Sequence, residues 1–507
     1  MKYILTAAQM KESDRRMIEE IGVPSLVLME RAALQCVNAM KEENADLTRV
    51  LIVCGSGNNG GDGFAIARIL AEEGRDVDVV FVGNEASRSK ETCVQMQILS
   101  NLGISVGKCL PEREYSVIID AIFGIGLSRR IEGKYREIIE RMNRYKGYRV
   151  AVDIPSGIDA DSGQVLGLAF RADMTVTFVC MKAGMVLFPG SEYAGKVVEK
   201  PIGIVVDPRL EKQEDVFYTL DRSDIGKRMP KRMPDSNKGT YGRVLVIAGS
   251  KGMSGAAYLS AKAAYTTGAG LVRIYTEETN RTILQQLLPE AVMTTYDAGE
   301  ADCFKELPGL LKWAGVVCLG CGLGTGETSV RLVREVLRQN QKPCVIDADG
   351  LNLLSAFSEA EWRGWTRAEG QYVLTPHMKE MSRLTGCTLE EWKKDRVKRL
   401  RNFVREENVI CALKDSRTLA ACRGQKMFLN RTGNAAMAKA GAGDVLAGVI
   451  AALMAQGMPA YEAAVLGVCL HGLAGDAAKE RCGPYSVLGE DIIKGLKEAL
   501  NNLEEKS

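Results

Sequence analysis

Residues 49–63 read R-V-L-I-V-C-G-S-G-N-N-G-G-D-G. A near-continuous apolar run meets a glycine-rich turn, and the helical pattern of residues 63–73 follows. A strand that is apolar on both faces is covered on both sides, as in parallel sheets. Apolar runs at 77–82, 117–122, 149–154 and 174–180 then alternate with amphipathic stretches such as 135–145. This alternation predicts an α/β architecture with mainly parallel strands. A second series opens at R-V-L-V-I-A-G-S (243–250) and continues through 316–319, 343–346, 372–374 and 409–413. Between the two series, residues 207–239 are charged, carry prolines and lack a sustained period, which predicts an inter-domain connection. Its basic run, Lys227, Arg228, Lys231 and Arg232, reads as a solvated linker rather than a nucleic-acid surface. The expected organisation is two α/β domains, residues 1–212 and 220–507.

Composition narrows the function classes. The 507 residues are 46% hydrophobic and 26% charged, enough to bury a large core without disulfides or metals. Lys plus Arg is 66 against 64 for Asp plus Glu, a net charge of +2 that draws the chain to neither nucleic acid nor an anionic membrane. The longest uncharged apolar stretch near the C-terminus, 445–461, contains Gly448, Gln456, Gly457 and Pro459 and is shorter than the about 20 residues of a span. The N-terminal M-K-Y-I-L-T-A-A-Q-M-K-E turns charged before a signal-peptide core forms. Fourteen cysteines are scattered in no compact framework, as suits free thiols in a reducing compartment. The expectation is a cytoplasmic enzyme acting on small molecules, a homo-oligomer with no nucleic-acid or membrane partner.

Gly55, Gly57 and Gly60 satisfy G-x-G-x-x-G, which suggests phosphate binding at a helix N-terminus; a tight strand-to-helix turn explains the glycines equally well. The denser Asn58-Asn59-Gly60-Gly61-Asp62 adds two amides and a carboxylate on backbone that a ligand can approach closely. The third strand ends in Asp120, followed by Gly124-Ile125-Gly126-Leu127-Ser128-Arg129-Arg130. The fourth ends V-D-I-P-S-G-I-D, with Asp153 and Ser156 at its tip. One such aspartate is commonly a cap or turn residue. Three polar tips on the carboxyl edge of one parallel sheet point to a site. These motifs together resemble the NAD(P)H-hydrate epimerase domain, a Rossmann-like three-layer fold. That family restores a cofactor in which water has added across the nicotinamide ring. The resemblance implies that Asn58–Asp62 and Gly124–Arg130 hold the hydrated dinucleotide, that Asp153 is catalytic at the reacting ring, and that Asn59, Asp120 and Ser156 hold a potassium ion. Hard oxygen donors suit such an ion. The hydroxyl lies beside the ring nitrogen, so its carbon is a hemiaminal that loses and regains its configuration when a carboxylate shuttles a proton.

The second series carries K-G-T-Y-G (238–242), Gly320-Cys321-Gly322-Leu323-Gly324, Asp347-Ala348-Asp349, Thr375-Pro376-His377 and Lys414-Asp415-Ser416-Arg417-Thr418. It ends in Asn434 to Asp444, N-A-A-M-A-K-A-G-A-G-D, before a long apolar helix. G-A-G-D at a helix start offers free N–H groups and the positive helix end to a phosphate, with a carboxylate placed to deprotonate an attacking hydroxyl. G-A-G-D alone fits the ribokinase-like superfamily. The fuller set resembles the ADP/ATP-dependent NAD(P)H-hydrate dehydratase domain. That resemblance implies a ribokinase-like α/β fold in which Ala256, Gly322, His377 and Asp444 contact the hydrate, with Asp444 as base. Lys414–Thr418 and Gly443 would hold ADP or ATP, with magnesium on its phosphates. Cys321 stands where the family usually has proline, and Met378-Lys379 follows His377 where Pro-Gly is usual. Cys318 and Cys321 form one C-x-x-C with no second pair to complete a zinc pattern. His471, on an apolar helical stretch, reads as a satisfied core residue. The alternative is a ribokinase-like small-molecule kinase with an accessory dinucleotide-binding domain, or a scaffold without catalysis. Asp120 and Asp153 argue against the scaffold, and N-N-G-G-D with V-D-I-P-S-G-I-D argues against the kinase.

Overall fold

The computed structural model describes residues 1–300, 302–365 and 371–504. The chain divides into two compact units, Lys2–Phe217 and Tyr218–Ser507, with Met1 grouped with the second. Among the described residues, no helix is long and apolar enough to cross a membrane.

The first unit is built on a seven-stranded sheet in the order Val106–Gly107, Asp76–Phe81, Arg49–Cys54, Val117–Ala121, Tyr148–Val152, Met174–Phe178 and Lys196–Lys200. Every pairing is parallel. Alternate residues of the central strand enter different cores, because successive side chains of a strand point to opposite faces. Val50, Ile52 and Cys54 pack with Ala33, Cys36 and Phe64 of the helices Ser25–Glu42 and Asn58–Glu72. Leu51 and Val53 pack on the other side with Ile138, Ile139 and Met142 of Gly133–Arg144. Helices on both faces make three layers. A short parallel pair adds Lys2–Leu5 to Met181–Lys182, with Leu5 opposite Lys182.

In the second unit Arg243–Ile247 lies between Leu271–Glu277 and Val316–Leu319. Parallel pairing extends to Val292–Tyr296 on one side and through Cys344–Ile346, Tyr372–Leu374 and Ile410–Leu413 on the other. Leu419–Ala421 and Met427–Leu429 then add antiparallel. The helix Ala442–Ala455 packs closely on Ser254–Thr266, since a side chain at Gly448 would collide with the Ser260 carbonyl.

Two expectations are corrected. Residues 207–239 are not an aperiodic connection throughout. They contain the strand Phe217–Thr219 and the helix Arg222–Arg228, which is opened by a capping box between Asp221 and Asp224. The helix after the first glycine-rich turn begins at Asn58 rather than near residue 63.

In each unit the strand order reverses beside the first long strand, Arg49–Cys54 or Arg243–Ile247, so the loops leaving its carboxyl end diverge to opposite sides of the sheet and open a crevice. Close approach sets that crevice in the first unit: a side chain at Gly55 would strike the Ile122 carbonyl, and one at Gly60 the Gly55 carbonyl. Gly60→Ala is therefore expected to cost about 3 kcal/mol, as overpacking against backbone does. A urea titration of the full chain followed by circular dichroism measures it as an earlier first transition.

Candidate active sites

At the first crevice the chain turns out of Arg49–Cys54 and enters the helix Asn58–Glu72 with no side chain capping its first turn. Gly57 supplies its carbonyl to the N–H groups of Gly60 and Gly61 at 2.9 and 3.3 Å. The N–H groups ahead of them point outward with the positive end of the helix, an arrangement that receives an anion. A cavity of about 550 Å³ opens there. Asn58, Asn59 and Asp62 line it, as do Gly124, Ile125, Gly126, Leu127, Ser128, Arg129 and Asp153. Gly60 and Gly61 are buried behind it, and Arg130 is exposed and outside its lining.

Asp153 follows the strand Tyr148–Val152 with φ +67°, and Val179 follows the neighbouring strand Met174–Phe178 with φ +68°. A left-handed backbone at a β-branched valine is strained, and such strain persists where the surrounding structure enforces it. Here the two strained tips converge on Lys182. Its Nζ donates to Asp153 Oδ1, to Thr177 Oγ1 at 2.8 Å and to the Phe178 carbonyl at 3.2 Å. Lys182 is 1% exposed. Asp153 Oδ1 also accepts from Thr177 Oγ1 at 3.2 Å and the Phe178 N–H at 3.4 Å. Burial pushes the Asp62 carboxyl well above the usual range, and the nearby Asp153 and Asp14 push it further.

Asp120 is fully buried at the end of Val117–Ala121. Its oxygens accept from Ser156 Oγ and Ser156 N–H, each at 2.7 Å, and from the Ile122 N–H at 3.2 Å. Burial raises its carboxyl to about 6 against the pull of those hydrogen bonds. Ser156 Oγ also receives the Phe123 N–H at 2.9 Å. Asn59 stands against Gly124, directly after Phe123, and its buried Nδ2 has no partner. Of the three expected ion ligands, Asp120 and Ser156 are thus directly bonded, and the Asn59 side chain reaches the same loop, its unpartnered atom being the donor nitrogen.

In the second unit the loops converge on Asp444, in the first turn of Ala442–Ala455 after Gly441 at φ +91°. Ligand atoms of Cys321, Asp347 and Asp444 lie within 4.8 Å of one another. Asp347, at the end of Cys344–Ile346 and 1% exposed, takes Lys414 Nζ on Oδ1 at 2.5 Å and leaves Oδ2 unpartnered. Ala348 follows at φ +51°. Burial, then Asp347, raises Asp444 to about 6, although the Cys321 thiol hydrogen-bonds it. A side chain at Gly443 would stand 3.1 Å from Lys414 Nζ and 3.3 Å from Asp347 Oδ2. Gly322, at φ +62°, lies against Ala256, where a side chain would come to 2.7 Å. His377 caps Met378–Thr385: its Nδ1 accepts the N–H groups of Lys379 and Glu380 at 3.1 Å. Burial and Lys414 lower its pKa, which favours the neutral ring, and its Nε2 lies 3.4 Å from Glu380 Oε1. Glu380 is raised to about 7 by burial.

The structure therefore brings Ala256, Gly322, His377, Lys414, Gly443 and Asp444 to one place. It separates Lys414 from the rest of its run. Asp415 and Ser416 are exposed, Asp415 pairs with Arg396 at 2.7 Å, and the Thr418 carbonyl accepts the Asn430 N–H. His471 is only partly the satisfied core residue expected. It is buried and pushed down to about 4 by that burial, yet its Nε2 has no partner. Sequence reasoning missed Lys182 and Asp14, which belong to no motif, and gave Asp347 no role. The signal available for Asp347 was its place at a strand's carboxyl end.

One α/β unit has a phosphate-ready helix start and acidic tips at its switch point. The other has a glycine-rich helix start carrying a carboxylate. Together they define a two-centre enzyme acting on nucleotide-like substrates. Comparison with known proteins agrees. A family profile described as YjeF-related protein N-terminus matches residues 25–184, and one described as NAD(P)H-hydrate dehydratase matches residues 244–498. A bifunctional NAD(P)H-hydrate repair enzyme of Moorella thermoacetica is 36% identical over 99% of this chain and 98% of its own length. Its counterpart in Escherichia coli K12 is 30% identical over 98% of this chain and 93% of its own. A ribokinase-like superfamily protein of Enterococcus faecalis matches in structure with TM-score 0.51 and 28% identity, over 57% of this chain and 96% of that protein. The chain belongs to the family of bifunctional NAD(P)H-hydrate repair enzymes.

The Asp347–Lys414 pair generates a test of the second centre. Removing one partner of a buried pair leaves an uncompensated charge, at a cost of about 3 kcal/mol. Lys414→Met is expected to lose about that much at neutral pH, and adding Asp347→Leu is expected to recover most of it. Urea midpoints of the two singles and the double provide the measurement.

Proposed function

We infer that the chain returns hydrated NADH and NADPH to the reduced cofactors in two steps: the first unit interconverts the R and S hydrates, and the second dehydrates the S form at the expense of ADP or ATP. The observation that supports this most is the presence of both acid-base centres in one chain, each at the switch point of its own parallel sheet. In the first step the adenine dinucleotide's phosphates lie on the N–H groups at Asn58 and along the loop 124–130. Asp153, held by Lys182 and Thr177, carries the proton at the hemiaminal carbon. A potassium ion would be held by Asp120, Ser156 and the Asn59 side-chain oxygen: one carboxylate with neutral hydroxyl and amide oxygens suits an alkali cation. When bound, it supplies fixed positive charge near the dinucleotide's phosphates.

In the second step Asp444 takes the proton of the hydrate's hydroxyl as that oxygen attacks the terminal phosphorus of the nucleotide. Phosphate then departs, a neighbouring ring proton is lost, and the ring double bond is restored. From ADP the products are NAD(P)H, AMP and phosphate. The neutral His377 donates from Nε2 to the hydrate, and the helix start at Gly443 receives phosphate oxygens. Asp347 Oδ2 would hold magnesium, which commonly takes one or two carboxylates together with substrate phosphates, leaving Asp444 to act as base. That ion neutralises charge on the phosphates. The free cysteines fit a reducing compartment, so this reading places the reaction in the cytoplasm.

The test supplies both hydrate epimers with magnesium and either ADP or ATP, and follows recovery of the reduced nicotinamide absorbance. Full recovery is expected, falling to one epimer's share in Asp153→Ala. No recovery with either nucleotide would overturn the reading in favour of a small-molecule kinase. Because Asp444 must lose its proton to act, dehydration of the pure S epimer is expected to rise as pH increases through about 6 and then level off. A flat profile from pH 5 to 8 would remove Asp444 from the role of base.

A further inference from the structure

The first cavity is lined by three carboxyl groups that this reading does not use, Asp14, Asp62 and Glu91. Asp14 lies near the end of the helix Ala7–Arg15, ahead of the stretch that the N-terminal family profile matches. It lines the cavity together with Asp62, Asp153 and Lys182. Its half-buried carboxyl is left open to whatever occupies the cavity. Its carrier is rigid. Thr6 and Gln9 form a capping box, Asp161 Oδ1 accepts the Ala7 N–H at 2.7 Å, and Ser13 Oγ bonds the Gln9 carbonyl. The strand that leads into this helix pairs directly with Met181–Lys182, so one local framework fixes both Asp14 and the lysine that holds Asp153.

Inversion at a hemiaminal carbon needs two proton transfers. The departing hydroxyl must gain a proton on one face of the ring, and the entering water must lose one on the other. Lys182 cannot supply the second group, because its three N–H donors are committed to Asp153, Thr177 and Phe178. Burial and the neighbouring Asp153 and Asp14 push the Asp62 carboxyl up, which favours its protonated form, and Glu91 is engaged by Ser25 Oγ at 2.6 Å. Resting on the epimerase reading above, we propose that Asp14 is a catalytic residue, the second proton carrier of epimerisation, working with Asp153 across the hydrate's hemiaminal carbon.

In one direction the Asp14 carboxylic acid protonates the hydroxyl and the C–O bond breaks. The lone pair of the ring nitrogen forms a C=N bond, and water leaves. A water then adds to the other face, the electron pair returns to nitrogen, and Asp153 takes the released proton. The reverse epimerisation starts from the swapped protonation states, so each carboxyl serves as acid in one direction and base in the other. A carboxyl that burial and Asp153 have raised to about 6 suits this exchange near neutral pH.

The experiment uses the full chain without nucleotide and a hydrate sample enriched in one epimer. NMR follows epimer exchange, and mass spectrometry follows uptake of ¹⁸O from labelled water. Asp14→Asn is expected to lower kcat about 100-fold with KM within about threefold, and to slow ¹⁸O uptake in parallel. Asp14→Glu is expected to retain measurable exchange with a displaced limb in its pH profile. Asp14→Asn within about threefold of wild type in kcat would overturn the proposal and leave the epimerase reading standing. A raised KM with unchanged kcat would also overturn it, because Asp14 would then only hold substrate. Wild type that exchanges no epimers would overturn the epimerase reading itself. If Asp14→Asn fails to fold, the Glu variant decides: an unmoved pH limb overturns the proposal.

Discussion

Both units depend on backbone passing backbone at distances only glycine allows. Gly55 faces the Ile122 carbonyl and Gly60 the Gly55 carbonyl; in the second unit Gly320 faces the Asp347 carbonyl. Gly55 presses the loop leaving the first long strand against that of its neighbour, at the point where strand order reverses; Gly60 folds back on that same loop, and Gly320 joins the loops leaving Val316–Leu319 and Cys344–Ile346. These contacts fix where the acidic strand tips project. A Cβ at one of these positions would separate the loops, and Asp120, Asp153 or Asp347 would leave the crevice that gives it a role. The glycines therefore place the carboxylates, and no glycine needs to touch a substrate.

Desolvation is the second consequence of that packing. A carboxyl taken out of water is raised unless charge or hydrogen bonds hold it down. Asp120 receives three hydrogen bonds and still reaches about 6, which shows how dry its position is. Asp444 reaches a similar value beside Asp347 and a neighbouring thiol. The cations are arranged to match. Lys182 and Lys414 each point back onto a strand-tip aspartate, so one acid in each centre is paired while burial raises its neighbours.

The long strands were legible because burial on both faces writes itself as an unbroken apolar run: residues 49–54, 316–319 and 372–374 are strands with the bounds expected. What was not legible was set by tertiary contact. The helix start at Asn58 reads as a loop, since glycine and asparagine favour helices weakly, but packing of Gly60 against Gly55 imposes it. The strand Phe217–Thr219 is too short to show a period, and the helix Arg222–Arg228 is announced only by its capping box. Lys182 and Asp14 are 168 positions apart in the sequence and meet through the pairing of Lys2–Leu5 with Met181–Lys182. Nothing in either local sequence marks them, whereas Asp153 and Asp444 sit in motifs whose glycines betray a strand end or a helix start.

Chemistry explains why two such different centres belong on one chain. Water adds to the nicotinamide ring from either face, while a phosphoryl-transfer site built on one helix start presents its base from one side only. Asp444, the base in the proposed mechanism, is fixed in the first turn of Ala442–Ala455 and meets one face of the ring. The second unit must therefore be stereospecific, and the hydrate it rejects accumulates unless another centre inverts it. Inversion needs neither nucleotide nor leaving-group activation, only a dry cavity with proton carriers and a place for the dinucleotide's phosphates. A parallel sheet with acidic tips and an uncapped helix start meets those requirements, which is what the first unit provides.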